Sequence, residues 1–330
     1  MSLPPFLRHC NLRNGTSYHE AIFFHDDLGP AHALWWPSLL RANDNQNLTV
    51  LLFIPGNPGL VGFYAPFLQE IWDAAKFSGK HLAILAHGHL GHTPFKFESD
   101  QQISIKHNIS LAAQVASATE AFDAIRSHFG AKCEILLVGH SVGAWITMQV
   151  MKSRGEDVAG AFLLFPTITH IKDTPNGRSL SMLFHPPLPA IVSRLSTALR
   201  LLPTRVLAFL FSDWPHDQLL VLQNFLHSSS CVYASLSMAH EEMLSITDLD
   251  IVLVDSFKDK LWVYLAEKDD WVGPHNKDTI LRAFAPVEAE HHGSVKIVHG
   301  REDIPHAFCI NHGKHLADQC FLWLTEGELL

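Results

Sequence analysis

The chain has 330 residues, of which 47% are hydrophobic and 17% are charged. This composition is typical of a globular protein with a sizeable core and excludes a largely disordered chain. Acidic residues outnumber basic residues by 33 to 24, and the net charge of −9 argues against a nucleic-acid partner.

The first residues, MSLPPFLRHC, contain no long apolar core behind basic residues, so no signal peptide is predicted. No uninterrupted apolar stretch reaches the roughly 18 residues that a membrane-spanning helix needs. The cysteines are widely spaced and form no CxxC pair, which favours reduced thiols in a cytosolic setting. They lie at Cys10, Cys133, Cys231, Cys309 and Cys320.

Short apolar runs alternate with stretches of helical periodicity along the chain. Strands that alternate with helices predict a mostly parallel sheet covered by helices on both faces, here as one domain over residues 1–330. Such sheets place their sites at the carboxyl ends of strands, where PGNPG, GHSVG and AEKDDW occur here. We predict strands at 50–54, 81–86, 133–138, 160–165, 260–266 and 295–299, and helices at 64–77, 108–129, 144–152 and 312–324.

The block 178–235 breaks this alternation. It is apolar and too long for a plain loop, so we predict a helical cap over the site. Sparse basic residues in an apolar background also suit a segment that lies in a lipid interface, and the sequence leaves both interpretations open. The block carries prolines at Pro186, Pro187, Pro189 and Pro203 and arginines at Arg194, Arg200 and Arg205.

The segment GHSVG at 139–143 follows the predicted strand CEILLV and precedes a predicted helix. A serine hydroxyl is a poor nucleophile until a base removes its proton. The G-x-S-x-G turn presents a serine at a sharp corner between strand and helix, with small neighbours that avoid collisions. A small-residue turn that only packs a helix on a sheet is the alternative. The context favours Ser141 as a nucleophile.

A serine nucleophile of this type is followed along the chain by an acid and then by a histidine. Asp269 lies three residues after Ala266, where the strand KLWVYLA should turn outward, and is the preferred acid. Asp270 is an adjacent candidate, and Asp173, after GAFLLF, is a more distant one.

The base is expected in a loop before the last helix, in REDIPHAFCINHGKH. His306 follows a turn that begins with proline and precedes an apolar pair, which suits a histidine that points inward. His299 is the main alternative. His312 and His315 fit the surface of the following helix.

Acyl transfer also needs donors for the oxyanion that develops on the substrate. The backbone N–H of Val142, directly after the serine, is one expected donor. The second is expected from the loop after VLLFI, so we assign it to the N–H of Asn57 in PGNPG. A plain turn of proline and glycine is the alternative interpretation of that loop.

The segment HLAILAHGHLGH offers a rival site of a different class. His87, His89 and His92 approach the H-x-H-x-D-H pattern of zinc hydrolases of the β-lactamase type. Gly91 stands where that pattern has its acid, and the alternation of strands and helices does not match that fold. A loop of glycine and histidine near the pocket is the favoured interpretation, with no metal.

Several motifs in order resemble the lipid droplet-associated hydrolases, a family of α/β-hydrolases. They are LLFIPGNPGLVGFY, HGHLGH, VGHSVGAW, LLFPTITHIKDTPNG and IPHAFC, and the similarity runs from about residue 48 to the end. Thr174 stands where the family usually has serine. The resemblance implies an α/β-hydrolase fold with a mostly parallel central sheet, helices on both faces and a helical cap insertion.

The resemblance further implies a serine hydrolase on lipid droplets and the cytosolic face of the endoplasmic reticulum, without a cofactor. A neutral-lipid ester is the implied substrate, of the sterol ester or acylglycerol class. The family's nucleophile, acid and base fall on Ser141, Asp269 and His306, and its droplet-targeting role falls on 178–235. The alternative is a droplet- or membrane-binding protein on the same fold, with weak or no esterase activity, that influences lipid storage.

Overall fold

The computed structural model describes residues 3–10, 17–38, 48–94, 109–201, 203–284, 296–301 and 303–330. Three positions of the predicted elements lie outside these ranges. They are Asn108 of the helix 108–129, Leu202 of the insertion 178–235 and Val295 of the strand 295–299.

Within the described ranges, nine strands form one sheet in the order β1-β2-β3-β5-β4-β6-β7-β8-β9. The six strands β5, β4, β6, β7, β8 and β9 run parallel to one another. The strands β3, β2 and β1 extend the sheet beyond β5, and each of them is antiparallel to its neighbours. The bounds are β1 Leu7–His9, β2 His19–His25, β3 Gly29–Trp36, β4 Thr49–Ile54, β5 Leu82–His87, β6 Glu134–His140, β7 Gly160–Leu164, β8 Leu261–Leu265 and β9 Ile297–His299.

Eleven α-helices lie in the described part of the chain. Their bounds are α1 Ala65–Phe77, α2 Leu111–Phe129, α3 Val142–Arg154, α4 Pro175–Phe184, α5 Leu188–Ser196, α6 Thr204–Leu210, α7 His216–His227, α8 Ser229–Ser245, α9 Ile251–Phe257, α10 Pro274–Phe284 and α11 Gly313–Glu326. The predicted elements in the parallel part of the sheet are present, with ends that differ by up to three residues. The strands β1, β2 and β3 have no counterpart in the sequence-based prediction.

The central strands are buried on both faces because successive side chains point to opposite sides of the sheet. Leu52 and Leu137 belong to the core on the side of α2, α3, α9 and α10. Leu51 and Phe53 belong to the core on the side of α1 and α11. Their complete burial explains why β4 and β6 appear in the sequence as continuous apolar runs. The predicted α/β-hydrolase architecture, with helices on both faces of a mostly parallel sheet, is confirmed.

Helix boundaries follow the local sequence. The hydroxyl of Ser110 accepts a hydrogen bond from the N–H of Ala113 at the start of α2, and Gly130 ends that helix with φ of 79°. At the start of α4, the hydroxyl of Thr174 accepts from the N–H of Gly177 at 3.0 Å. A serine hydroxyl makes the same contact, so the threonine at this position preserves the helix cap.

The residues between β7 and β8 form the helices α4 to α9, and those within 178–235 are the larger part of this insertion. Helices α4 and α5 pack against α8. Prolines lie at the boundaries: Pro187 precedes α5, Pro203 precedes α6 and Pro215 precedes α7. None of the helices in the described ranges has the combination of length and apolar character that a membrane-spanning helix requires.

Candidate active site

Ser141 lies at the corner between β6 and α3. Its backbone has φ of 55° and ψ of −123°, a region that L-residues other than glycine rarely adopt and that costs on the order of 1–3 kcal/mol. The backbone N–H of Ser141 donates to the carbonyl oxygen of Leu164 on β7, at 3.0 Å. The folded sheet therefore holds the serine in a strained position at the carboxyl end of β6.

Two glycines permit the tight corner at Ser141. A Cβ atom on Gly139 would collide with the backbone of Gly143 and with the hydroxyl of Thr147. A Cβ atom on Gly143 would collide with the carbonyl oxygens of Ile54 and Pro55. Helix α3 therefore begins in direct contact with the loop that follows β4, and only residues without a side chain fit at both positions.

His306 connects Ser141 to Asp269. Its Nε2 atom lies 2.9 Å from Oγ of Ser141, and its Nδ1 atom lies 2.8 Å from Oδ2 of Asp269. His306 comes from the loop before α11, and Asp269 comes from the loop after β8. The side chain of Asp269 is 3% exposed and that of His306 is 16% exposed. The structure therefore brings together the three residues that the sequence placed in a triad.

The carboxylate of Asp269 is held by its own loop. Oδ1 accepts hydrogen bonds from the backbone N–H groups of Trp271 and Val272, at 2.9 and 3.1 Å. This leaves Oδ2 for the Nδ1–H of His306. The arrangement fixes both the tautomer and the ring orientation of the imidazole, with Nε2 facing the serine.

The alternative acids lie apart from this arrangement. Asp270 is exposed, and its backbone carbonyl accepts from the N–H of Asn176. Asp173 is also exposed, and its Oδ2 lies 3.9 Å from Nδ1 of His170. Neither carboxylate makes a hydrogen bond to His306 among the described residues.

None of the alternative bases hydrogen-bonds to Ser141 in the part of the chain that the structure describes. His299 is an exposed residue at the end of β9. His312 precedes α11, and the Nε2 atom of His315 lies 3.2 Å from the hydroxyl of Tyr264. Within the described chain, His306 alone hydrogen-bonds to the hydroxyl of Ser141.

The PGNPG loop after β4, residues 55–59, lies directly beside the serine. A Cβ atom on Gly56 would lie 2.9 Å from Cβ of Ser141 and 2.8 Å from Nδ1 of His140. Among the described residues, no protein acceptor binds the backbone N–H of Asn57 or of Val142. Val142 directly follows the serine, and Asn57 directly follows Gly56; the role of both N–H groups as oxyanion donors stays a prediction.

A chain of buried polar groups joins this loop to His306. Nε2 of His140 donates to the backbone carbonyl of His306 at 3.0 Å, because that carbonyl can only accept. Burial lowers the pKa of His140 well below its usual range, so the ring is neutral and its Nδ1 accepts from the hydroxyl of Tyr64, 2.7 Å away. The Tyr64 oxygen in turn accepts from the N–H of Gly56 at 3.1 Å. Burial raises the pKa of Tyr64 well above its usual range, so the hydroxyl keeps its proton.

The histidines of the rival zinc hypothesis do not converge. Nε2 of His87 lies 2.8 Å from the hydroxyl of Ser117, whereas His89 and His92 donate to the carbonyl oxygens of Pro55 and Pro58, at 2.9 and 2.6 Å. In the described ranges no group of three His, Cys, Asp or Glu residues is arranged to hold a metal ion.

The contacts of His89 and His92 hold the two ends of the PGNPG loop, at Pro55 and at Pro58. Burial lowers the pKa of His89 to about 3 and that of His92 to about 4, so both rings are neutral near pH 7. A neutral imidazole carries one N–H, and each ring uses it on a loop carbonyl. The HGHLGH motif thus supports the neighbouring loop.

Helix α8, in the insertion between β7 and β8, also holds the PGNPG loop. The side-chain amide of Asn57 donates to Oε1 of Glu242 at 2.8 Å and to the backbone carbonyl of Ser235 at 2.9 Å. Both acceptors belong to α8. Burial raises the pKa of Glu242 to about 8, although the hydrogen bond from Asn57 partly opposes this.

The outer helices of the insertion expose large apolar side chains. Phe209 is 85% exposed, Met182 is 77% exposed and Leu195 is 67% exposed. Exposed arginines accompany them on the same helices, at Arg178, Arg194 and Arg205.

A cavity of about 580 Å³ lies between β2, β3, α1 and α7. Its lining includes Tyr18, His32 and Gln218 but none of the three residues Ser141, Asp269 and His306. It is therefore a different feature from the candidate active site.

Sequence analysis missed the residues that support the site. Tyr64 and His140 lie within the motifs LLFIPGNPGLVGFY and GHSVG, so the pairs FY at 63–64 and HS at 140–141 could have raised them as candidates. Nothing in the local sequence of α8 distinguishes Glu242 from a surface glutamate, and its role follows only from its contact with Asn57.

Comparisons with known proteins agree with this fold. Residues 47–309 match the sequence profile of a family described as lipid-droplet associated hydrolase. The lipid droplet-associated hydrolase of Mus musculus is 27% identical over 314 residues, covering 88% of this chain and 89% of that protein. The protein of the same name from Drosophila melanogaster is 23% identical, covering 87% of this chain and 92% of that protein.

Solved structures of low sequence identity share the fold. A haloalkane dehalogenase loop variant from Bradyrhizobium elkanii superposes with a TM-score of 0.62 at 11% identity, covering 94% of this chain and 98% of that one. An esterase from Thermogutta terrifontis superposes with a TM-score of 0.55 at 13% identity, covering 94% and 99%. With most of its length matched by the family profile, this chain belongs to the lipid droplet-associated hydrolase family.

Proposed function

We propose that this protein is a serine ester hydrolase that uses Ser141, His306 and Asp269 as a catalytic triad. One observation carries the proposal: the continuous hydrogen bonds from Oγ of Ser141 through both nitrogens of His306 to Asp269, at 2.9 and 2.8 Å. The strained backbone of Ser141 at the end of β6 supports the role of nucleophile.

In the proposed mechanism, Nε2 of His306 takes the proton of Ser141 as the hydroxyl oxygen attacks the ester carbonyl. The carboxylate of Asp269 orients the imidazole and stabilises its cation. The N–H groups of Val142 and Asn57 stabilise the oxyanion of the tetrahedral intermediate. His306 then protonates the departing alcohol, and water hydrolyses the acyl-enzyme with His306 again as the base. The reaction needs no metal and no organic cofactor.

We assign the substrate to the neutral-lipid esters, of the sterol ester or acylglycerol class, at the surface of lipid droplets and the cytosolic face of the endoplasmic reticulum. The names of the animal relatives support the association with droplets. The exposed apolar side chains and arginines of α4, α5 and α6 support contact between residues 178–235 and a lipid surface.

A second candidate function follows from that same surface. A protein that binds droplets or membranes through 178–235, with weak or no esterase activity, would need the exposed side chains of α4 to α6 but not the triad. The hydrogen bonds from Ser141 through His306 to Asp269 favour the enzyme, because they occur at a strained serine backbone that a binding protein does not require.

Covalent labelling tests the proposal directly. A fluorophosphonate probe should label the wild-type protein and should not label Ser141→Ala, and the same substitution should abolish hydrolysis of p-nitrophenyl butyrate. Labelling that persists in Ser141→Ala would refute the assignment of the nucleophile. Loss of hydrolysis on addition of EDTA would favour a metal mechanism instead. A Ser141→Ala variant that retains every effect on cellular lipid storage would favour the binding protein.

A further inference from the structure

We propose that Glu242 is a positioning residue for ester hydrolysis: from helix α8 it holds Asn57, and with it the PGNPG loop, in place beside Ser141. This inference rests on the proposed function, since it assigns a task to a residue that supports the same site. Glu242 does not contact Ser141 or His306 in the hydrogen bonds of the described residues, so it acts through Asn57.

The contact between α8 and the loop is specific. Both donated hydrogen bonds of the Asn57 amide end on α8, at Oε1 of Glu242 and at the carbonyl oxygen of Ser235, at 2.8 and 2.9 Å. Glu242 is 4% exposed and Ser235 is 6% exposed. Because both N–H groups of the amide are used, the orientation of the Asn57 side chain is fixed relative to one helix.

Asn57, whose side-chain amide is fixed in this way, also has a backbone N–H that no acceptor among the described residues binds. Gly56, the preceding residue, approaches Ser141 so closely that it has no room for a side chain. A shift of the loop by about 1 Å would therefore change the distance between the Asn57 N–H and a bound oxyanion, and misplacements of that size can cost about 100-fold in rate.

The chemistry of Glu242 suits this task. Burying a carboxyl group without a cationic partner destabilises the folded state, and burying an apolar side chain at this position would destabilise it less. Burial raises the pKa of Glu242 to about 8, so near pH 7 its carboxyl group is mainly neutral. A neutral acid still accepts a hydrogen bond from Asn57. It also places no negative charge beside the PGNPG loop, whose task in this proposal is to stabilise an oxyanion.

The experiment compares Glu242→Leu with Glu242→Gln. Leucine removes the acceptor, and we expect kcat for p-nitrophenyl butyrate to fall between about tenfold and about 100-fold with little change in KM. Glutamine keeps a neutral carbonyl oxygen at the same place and should retain kcat within about threefold of wild type. The rate of labelling by the fluorophosphonate probe should follow kcat in both variants.

Glu241→Leu is the matched control. Glu241 is the adjacent residue on α8, and its Oε2 accepts from the backbone N–H of Leu111 rather than from the loop. Its replacement disturbs the packing of α8 without releasing Asn57, so kcat should remain near wild type. A fall in kcat for Glu241→Leu equal to that for Glu242→Leu would show a general effect of the helix and would overturn the proposal.

A double-mutant cycle isolates the contact. Asn57→Ala keeps the backbone N–H and removes the amide, so Glu242→Leu should cost little further activity in the Asn57→Ala background. Additive losses would overturn the inference, as would a wild-type kcat in Glu242→Leu. If Ser141→Ala abolishes hydrolysis while Glu242→Leu leaves it unchanged, only the positioning role fails. A wild-type protein that neither hydrolyses the ester nor takes the label would overturn both proposals.

Discussion

A Cβ atom on Gly56 would lie 2.9 Å from Cβ of Ser141, closer than two such carbons approach in folded proteins. The loop after β4 and the corner after β6 are therefore in contact through a position that only glycine can occupy. This contact places Asn57, the residue after Gly56, in the loop that lies beside the serine.

Gly56→Ala should displace the loop from Ser141. The new methyl group would also collide with Nδ1 of His140, which is buried and cannot move away freely. We expect kcat for p-nitrophenyl butyrate to fall by about 100-fold, the effect of losing one oxyanion donor. Circular dichroism should show a folded protein, and a variant with wild-type kcat would contradict the assignment of the loop.

Asp269→Asn and Asp270→Asn form a matched pair. Asparagine at 269 can no longer stabilise the His306 cation and can favour the wrong tautomer, so kcat should fall by about 10³–10⁴-fold. Asparagine at 270 replaces an exposed carboxylate that has no contact with His306, so kcat should change less than about twofold. Steady-state kinetics on both variants check this, and equal losses would contradict the assignment of the acid.

Tyr64→Phe should affect both stability and catalysis. It removes the oxygen that accepts from the N–H of Gly56 and the proton that binds Nδ1 of His140. A buried donor left without a partner costs about 1–3 kcal/mol, which urea unfolding can measure, and kcat should fall because the loop loses a support.

Tyr264→Phe is the control for this change. The hydroxyl of Tyr264 lies 3.2 Å from Nε2 of His315 and does not contact the loop. This variant should lose stability without a large fall in kcat. If both tyrosine variants keep wild-type kcat, the chain from Gly56 to His140 has no part in catalysis.

The stability of the protein should depend on Glu242 between about pH 5 and pH 8. The folded state keeps the proton on this carboxyl up to a pKa of about 8, whereas the unfolded chain releases it near its ordinary value. The contribution of Glu242 to the free energy of unfolding therefore falls as the pH rises through this window, by up to about 1.4 kcal/mol per pH unit. Glu242→Gln removes the ionisation. Its stability relative to wild type should increase from pH 5 to pH 8 in urea unfolding, and parallel curves would contradict the burial of an uncharged acid.

Phe209→Asp should weaken binding to lipid. Phe209 is 85% exposed on α6, and a carboxylate at this position would have to lose its hydration to enter a lipid interface. The measurement is flotation with artificial droplets of triacylglycerol coated with phospholipid. Phe77→Asp is the control, because Phe77 is 84% exposed on α1, outside the insertion. Equal losses in both variants would contradict the assignment of the surface to 178–235.

The parallel part of the sheet could be predicted from sequence because its strands are buried on both faces. VLLFI contains no polar residue, and CEILLV contains only Glu134 near its start, so each reads as a core strand. The amino-terminal strands escaped prediction for the opposite reason. β2 and β3 contain the buried histidines His25 and His32, and β3 begins with Gly29 and Pro30, residues that are typical of loops.

In the candidate site, features that are encoded in one stretch of sequence could be predicted, and contacts between distant stretches could not. Ser141 could be located from a local motif, since a strand, a tight turn and a helix follow each other within one stretch. The preference for Asp269 over Asp270 relied on where the strand should turn; in the structure the carboxylate of Asp269 is buried and Asp270 is exposed. Glu242 and Asn57 are 185 positions apart, and no local pattern predicts such a contact.

The support of residues 55–59 by Tyr64, His89, His92 and Glu242 has a consequence for folding. These partners come from the turn before α1, from the loop after β5 and from helix α8 of the insertion, so the loop acquires its final geometry only when all three have docked. Loops open at a lower free energy than the core strands of a sheet, so this loop should lose its geometry before the central sheet unfolds. Ester turnover therefore reports on the integrity of the whole assembly, and mild denaturant or proteolytic nicking of the insertion should silence it while the central sheet is still intact.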